Sequence, residues 1–83
     1  MKYQGKFGMC EMELAAEIIV DKYQKWREFT NKQNKFYISI TDMKEDMEYI
    51  GFIELVSRGW LQKLEYCRNG CFNLTEGFLE RIK

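Results

Sequence analysis

The sequence predicts a small α+β domain, on the strength of one long amphipathic period and two segments of β-type composition. Apolar residues recur at three- and four-residue steps from Met9 to about Thr30, which is typical of a helix with one buried face. Aromatic and β-branched residues hold five of the six positions 36–41, and apolar runs flank Arg68-Asn69-Gly70, which indicates a strand and a β-hairpin. Because 83 residues have room for one core, residues 1–83 are expected to form a single domain.

The composition excludes several classes of protein. With 46% hydrophobic and 31% charged residues, the chain is too apolar for intrinsic disorder, and its 13 basic residues balance its 13 acidic ones. The absence of His removes Ser-His and Cys-His nucleophile pairs, and the scattered glycines form no phosphate-binding loop, so neither an enzyme nor a cofactor is expected. Since nowhere do about 18 apolar residues run together, we expect a cytoplasmic protein with no membrane partner.

Three cysteines, Cys10, Cys67 and Cys71, make an odd number, which favours a reducing compartment over a secreted disulfide scaffold. A structural zinc site needs four Cys or His ligands, which this chain alone does not have. We therefore expect no metal, and thiols that are reduced and pack as small hydrophobic groups.

The first helix, from Met9 to about Thr30, has acidic residues toward its start and basic residues toward its end, as the helix dipole favours. Ile18, Val20 and Phe29 extend its apolar surface beyond one stripe. Such a helix is either covered on more than one side or contributes to a homodimer. Its predicted core face consists of Met12, Ala15, Ala16, Ile19, Tyr23 and Trp26.

A second helix is predicted from Asp42 to Arg58, because Asp42 and Glu45 have the spacing of a capping box. Gly59 follows as a left-handed C-cap. Gly51 lies in the middle, where it either breaks the helix into two or allows another backbone to approach closely.

The C-terminal third predicts a hairpin with a three-residue loop, Arg68 to Gly70. This register sets Cys67 opposite Cys71 and gives one buried face, followed by a closing turn or helix over 75–82. The buried face is Leu64, Tyr66, Phe72 and Leu74, and the closing segment returns Phe78, Leu79 and Ile82 to the core. Further core aromatics are expected to be Trp26, Tyr37, Phe52, Trp60, Tyr66 and Phe72.

Two short motifs carry a resemblance to a known family. Leu55 to Leu61 is similar to the Leu-x-x-x-Gly step by which a third helix enters a wing, and 72–77 is similar to an aromatic-x-Leu-Thr-x-x-Gly ending, with its Gly one residue early. Over residues 36–77 the chain thus resembles a winged helix-turn-helix domain. The family pattern needs two helices where this chain has the 18 residues from Thr41 to Arg58, so the resemblance implies a compressed, winged-helix-like domain whose C-terminal hairpin is the wing.

The resemblance implies a small DNA-binding regulator, active in transcription regulation, with double-stranded DNA as its partner. A recognition element at 47–58 and a wing tip at 68–70 are then expected to make the contacts. Tyr49, Ser57 and Arg58 would lie near bases, and Lys25, Arg27 and Arg68 on phosphates.

Local charge supports an alternative function. Residues 42–59 hold two basic residues, Lys44 and Arg58, against five acidic ones, whereas residues 22–35 hold five basic residues against one acidic. An acidic second helix imitates phosphate, so the alternative is a protein-interaction module on the same scaffold, such as a phage or mobile-element protein that blocks a nucleic-acid-binding host protein. Its acidic contacts would be Asp42, Glu45, Asp46, Glu48 and Glu54.

Overall fold

The structure is a computed structural model that describes residues 5–29, 36–65 and 70–82. It contains three α-helices and three short strands, which confirms the α+β class. In chain order these are α1 (Cys10–Phe29), β1 (Ile38–Ser39), a 3-10 turn (Ile40–Asp42), α2 (Asp46–Ser57), β2 (Leu61–Lys63), β3 (Cys71–Leu74) and α3 (Glu76–Ile82).

The strands form one antiparallel sheet in the order β1-β3-β2, so the last strand lies in the middle. Ile38 lies opposite Phe72 on one side of β3, and Leu61 lies opposite Leu74 on the other. Ile38, Leu61 and Leu74 are buried, so the core lies against the face of the sheet that carries these three side chains.

The predicted hairpin register is wrong by three residues, because Leu74 pairs with Leu61 and not with Leu64. The pairing of β2 with β3 begins close to the end of α2. There the carbonyl oxygen of Trp60 accepts hydrogen bonds from the backbone N (3.3 Å) and from Oγ1 (2.9 Å) of Thr75. The β2–β3 connection is therefore longer than the predicted three residues. Tyr66, Cys67 and Arg68 lie outside the described residues.

The core forms where α1 and α2 pack together beside the sheet and α3. Four predicted core positions of α1, Met12, Ala15, Ala16 and Ile19, are buried, and Tyr23 and Trp26 are half-buried against them. Val20 is also buried and Ile18 is half-buried, whereas Phe29 is 81% exposed, so the buried residues of α1 form one broad face. Among the predicted core aromatics Phe52 is buried and Trp26, Trp60 and Phe72 are half-buried, whereas Tyr37 is exposed.

The helix α2 begins four residues later than predicted, because Asp42 belongs to a different cap. Its carboxylate accepts a hydrogen bond from the backbone N of Ser39 (2.9 Å) and closes the capping box of the 3-10 turn. This turn also limits β1 to Ile38–Ser39, whereas a strand over 36–41 was expected. The N-cap of α2 is Glu45, whose backbone N donates to Glu48.

Gly51 lies inside an uninterrupted helix, which settles the alternative that the sequence leaves open. A Cβ on Gly51 would overlap the carbonyl group of Glu11 and lie 3.0 Å from the backbone N of Met12. The glycine therefore allows α2 to approach the first turn of α1 closely. Gly59, with φ +83°, ends α2 in the left-handed conformation that the sequence predicts.

The closing segment forms α3, as predicted, with Phe78 fully buried and Leu79 and Ile82 half-buried against the core. Thr75 caps this helix, because its Oγ1 accepts a hydrogen bond from the backbone N of Phe78 (3.2 Å). The ring of Phe7 packs on both Phe78 and Trp60, with centroid distances of 5.0 and 5.2 Å. The residues just before α1 thus join the core.

Cys71 is disulfide-bonded, so the expectation that it is reduced is wrong. That expectation was based on the cellular compartment, which carries no information about the local geometry of β3. Cys10 at the start of α1 is a free and exposed thiol. In the described part of the chain, no helix has both the length and the apolar character that crossing a membrane requires.

Candidate functional site

Two opposite faces of α2 are apolar, but only one contributes to the core. The inner face, Gly51, Phe52 and Leu55, is buried against the rest of the molecule. The outer face consists of Asp46, Met47, Ile50, Ile53 and Ser57, all of which are exposed.

The three apolar side chains of the outer face are unusually accessible for their type. Met47 is 45% exposed, Ile50 51% and Ile53 57%. They occupy successive turns of one helix, so they form a continuous strip and not isolated surface residues. Contiguous exposed apolar groups with polar residues around them are typical of interaction sites.

The edges of this strip are half-buried. Tyr49 and Val56 pack against the core on one side of α2. On the other side Glu54 forms an ion pair with Arg58, with 3.8 Å between Oε1 and Nη2. Because Arg58 is exposed at the C-terminal end of α2, its guanidinium can turn toward a partner with little loss of stability.

The N-terminal end of α2 is acidic. Glu45 and Asp46 are exposed. The carboxylate of Glu48 accepts hydrogen bonds from the backbone N of Glu45 (3.0 Å) and of Lys44 (2.8 Å), and these bonds, that from Glu45 first, hold the pKa of Glu48 below its ordinary value of 4.5. Glu48 therefore stays ionised and stabilises the helix start, while Glu45 and Asp46 face solvent.

The five acidic residues that were predicted to contact a partner protein differ in their position and in their interactions within the chain. Asp42 lies in the 3-10 turn and pairs with Lys22 of α1, with 2.9 Å between Oδ1 and Nζ. Glu45 and Glu48 form the capping box of α2 and Glu54 forms an ion pair, which leaves Asp46 as the acidic residue best placed for an external partner.

The predicted DNA contacts lie on two different helices. Lys25 and Arg27 are exposed on α1, where Lys25 pairs with Asp21 (3.1 Å) and the Arg27 guanidinium lies 5.9 Å from the centre of the Tyr23 ring. Ser57 and Arg58 share the C-terminal end of α2, and Tyr49 packs partly against the core. Arg68 lies outside the described residues.

A groove of about 890 Å³ opens between the C-terminal half of α1 and α3. Its lining is mixed, with Arg27 from α1 and two carboxylates from α3, Glu76 and Glu80. No group of three or more potential metal ligands occurs in residues 5–29, 36–65 and 70–82. These features point to no particular ligand chemistry.

The exposed strip on α2 was not identified from the sequence, which predicts a helix here but does not say which of its apolar residues are exposed. A signal for it exists in the composition of the helix. Seven of the residues from Asp46 to Ser57 are large and apolar, which is more than one buried face can hold: Met47, Tyr49, Ile50, Phe52, Ile53, Leu55 and Val56.

Comparison of the chain with protein-family models, with curated proteins and with solved structures gave no match.

Proposed function

We propose that the chain is a protein-interaction module, on a scaffold of winged-helix type, that docks a partner protein through the outer face of α2. The observation that supports this function best is the exposure of Met47, Ile50 and Ile53 on the solvent side of one helix. Leaving these three side chains in water forgoes the favourable free energy of apolar burial, which a partner protein restores.

The scaffold assignment is supported by the order of the elements. A helix, a strand, a second helix and a hairpin follow one another, and β1 pairs with the second strand of the hairpin. The 3-10 turn Ile40–Asp42 precedes α2, where the family pattern has a further helix, and this is consistent with a compressed scaffold of this type. On this scaffold α2 takes the place of the recognition helix.

The chemistry of the outer face favours a protein over DNA. A helix that enters the major groove needs cations for phosphates and polar side chains for base edges. The outer face instead presents a thioether and two branched alkyl groups, with carboxylates at its N-terminal end. A protein surface with an apolar centre and a cation facing Asp46 is complementary to it.

A photo-crosslinking experiment tests the docking surface directly. A benzophenone amino acid replaces Ile53 in the full chain, expressed in cells of its source, and a matched variant carries it at Gln62, which is exposed on β2. We expect a discrete adduct from position 53 that is absent from position 62 and is lost when Ile50→Asp is added. Equal labelling from both positions would contradict the proposal.

A DNA-binding regulator is the second candidate function, and it is favoured by the exposure of Lys25 and Arg27 at the basic end of α1. Anisotropy of a labelled random duplex at about 50 and 200 mM salt separates the two functions, because phosphate contacts weaken steeply with salt. We expect no salt-dependent binding. Binding that falls with salt and is reduced in the K25A/R27A double variant would replace the first proposal with the second.

A further inference from the structure

We infer that a second copy of the chain binds to the outer face of α2, with the two α2 helices packed antiparallel across a two-fold axis. This inference rests on the proposed function, because both use the same face. It names the occupant of that face, which the proposed function leaves open.

The spacing of the outer face suits the pairing of two helices. Asp46, Ile50, Ile53 and Ser57 follow one another at steps of four, three and four residues, which is the a/d repeat of a helix-helix seam. The two central positions are branched apolar residues and the two end positions are polar. The apolar part of the seam is thus short and closed by polar groups at both ends.

Antiparallel packing makes this seam complementary to itself. With the two-fold axis between Gly51 and Phe52, Ile50 faces Ile53 of the second copy and Asp46 faces Ser57, and each contact occurs twice. Met47 and Tyr49 flank the centre and cover the isoleucines from the sides. No apolar residue of the outer face is then left in water.

Charge complementarity favours the antiparallel arrangement over the parallel one. The N-terminal end of α2 carries Glu45 and Asp46, and its C-terminal end carries Arg58, which is exposed. Antiparallel helices place Arg58 of each copy beside Asp46 of the other, whereas parallel helices would bring the acidic ends together. Within the described residues the ion pair of Arg58 is the one with Glu54, with 3.8 Å between Nη2 and Oε1 across one turn.

The size of the seam predicts a weak and exchangeable dimer. A helix of 12 residues is about 18 Å long, and one face of it is smaller than the roughly 800 Å² per partner of a standard interface. We expect monomers at low micromolar concentration and dimers toward millimolar concentration. Substitutions in α2 should change this association, and substitutions elsewhere on the surface should not.

Sedimentation equilibrium of the full chain between about 5 µM and 1 mM tests this inference. All proteins carry Cys10→Ser, so that the exposed thiol cannot crosslink copies. We expect the mass to rise from 10.1 kDa toward twice that value, and Ile50→Asp to keep it at 10.1 kDa at every concentration while circular dichroism shows an unchanged fold.

A charge swap decides between self-association and any other pairing. Asp46→Lys and Arg58→Glu alone should each weaken the dimer about tenfold, the double variant should return to within about threefold of the original, and an equimolar mixture of the two single variants should form heterodimers. Arg27→Glu, which makes the same charge change on α1, serves as the matched control and should leave the dimer unchanged.

Three outcomes would overturn the inference: a chain that stays monomeric at 1 mM, a dimer that survives Ile50→Asp, or a double variant no tighter than its parents. A surviving dimer would indicate another interface, such as the α1 surface that the sequence suggests. If the chain stays monomeric but the benzophenone at position 53 still gives its specific adduct, the docking function stands and only the identity of the partner is wrong.

Discussion

The inner and outer faces of α2 both carry large apolar side chains, but the inner face is buried and the outer face is exposed to solvent. Phe52 and Leu55 are 1% and 0% exposed, whereas their neighbours Ile53 and Ile50 are more than half exposed. What separates them is Gly51, which brings the inner face against the backbone of α1. A helix with more large apolar residues than one buried face can hold therefore exposes an apolar strip on its other side.

The largest expected effect is the loss of a large side chain from the inner face. Phe52→Ala should lower the free energy of unfolding by about 3–5 kcal/mol, because Phe52 is 1% exposed and its ring contacts Phe72 with centroids 5.4 Å apart. The adjacent Ile53→Ala on the outer face should change it by less than about 0.5 kcal/mol. Urea denaturation of both variants measures the difference.

If Phe52→Ala and Ile53→Ala lowered the free energy of unfolding equally, the outer face would be covered within the monomer and the two faces would not differ as described. The measurement belongs at a few micromolar protein, where association through α2 adds nothing to the stability of the fold.

The next largest effect is expected for Gly51→Ala, which should lower the free energy of unfolding although replacing Gly by Ala in a helix usually raises it. In an exposed helix this change stabilises by up to about 1 kcal/mol. Here the new Cβ overlaps the carbonyl of Glu11, so we expect a loss of about 1–3 kcal/mol as α1 and α2 are forced apart. Thermal denaturation followed by circular dichroism measures it, and a more stable Gly51→Ala protein would show that the two helices do not need their close approach.

The fold was predictable from the sequence wherever local patterns decide it. The limits of α1, the left-handed Gly59 and the closing helix with Phe78 are confirmed, because amphipathic periodicity and glycine conformation act within a few residues. The start of α2 and the register of the hairpin were predicted wrongly. The start of α2 was displaced by a competing local contact, because Asp42 accepts a hydrogen bond from Ser39, three residues before it. The hairpin register was displaced by a longer-range contact, the pairing of Trp60 with Thr75.

The candidate site was less predictable, because charge alone was read as its signal. The acidic residues of the second helix were identified, but local hydrogen bonds and ion pairs engage Asp42, Glu48 and Glu54. Ile50 and Ile53 look the same in sequence as the core residues beside them. Which of two apolar faces meets α1 depends on where Gly51 lies against Glu11, and periodicity does not contain that information.

The end of α2 contributes less than its inner face. Gly59 has φ +83° and nothing lies within 4 Å of a Cβ built there, so Gly59→Ala should cost only the strain of a left-handed residue, about 1 kcal/mol. Gly59→Asn should cost less, because Asn tolerates this conformation better. If the two variants were equally stable by urea denaturation, the turn after α2 would not depend on backbone conformation.

The smallest expected effect lies at the start of α2, where Glu48 caps the helix. Because hydrogen bonds from the backbone N of Glu45 and of Lys44 lower the pKa of Glu48 in the folded chain, its carboxylate favours folding above its ordinary pKa of 4.5 and loses this contribution as the pH falls through the lowered value. Glu48→Gln keeps an oxygen acceptor but does not titrate. We therefore expect the original chain to be slightly more stable than Glu48→Gln at pH 6–7, and the two stability curves to converge as urea denaturation is repeated toward pH 3. Curves that stay parallel over this range would show that the ionised cap adds nothing, and that α2 is held in place by its inner face alone.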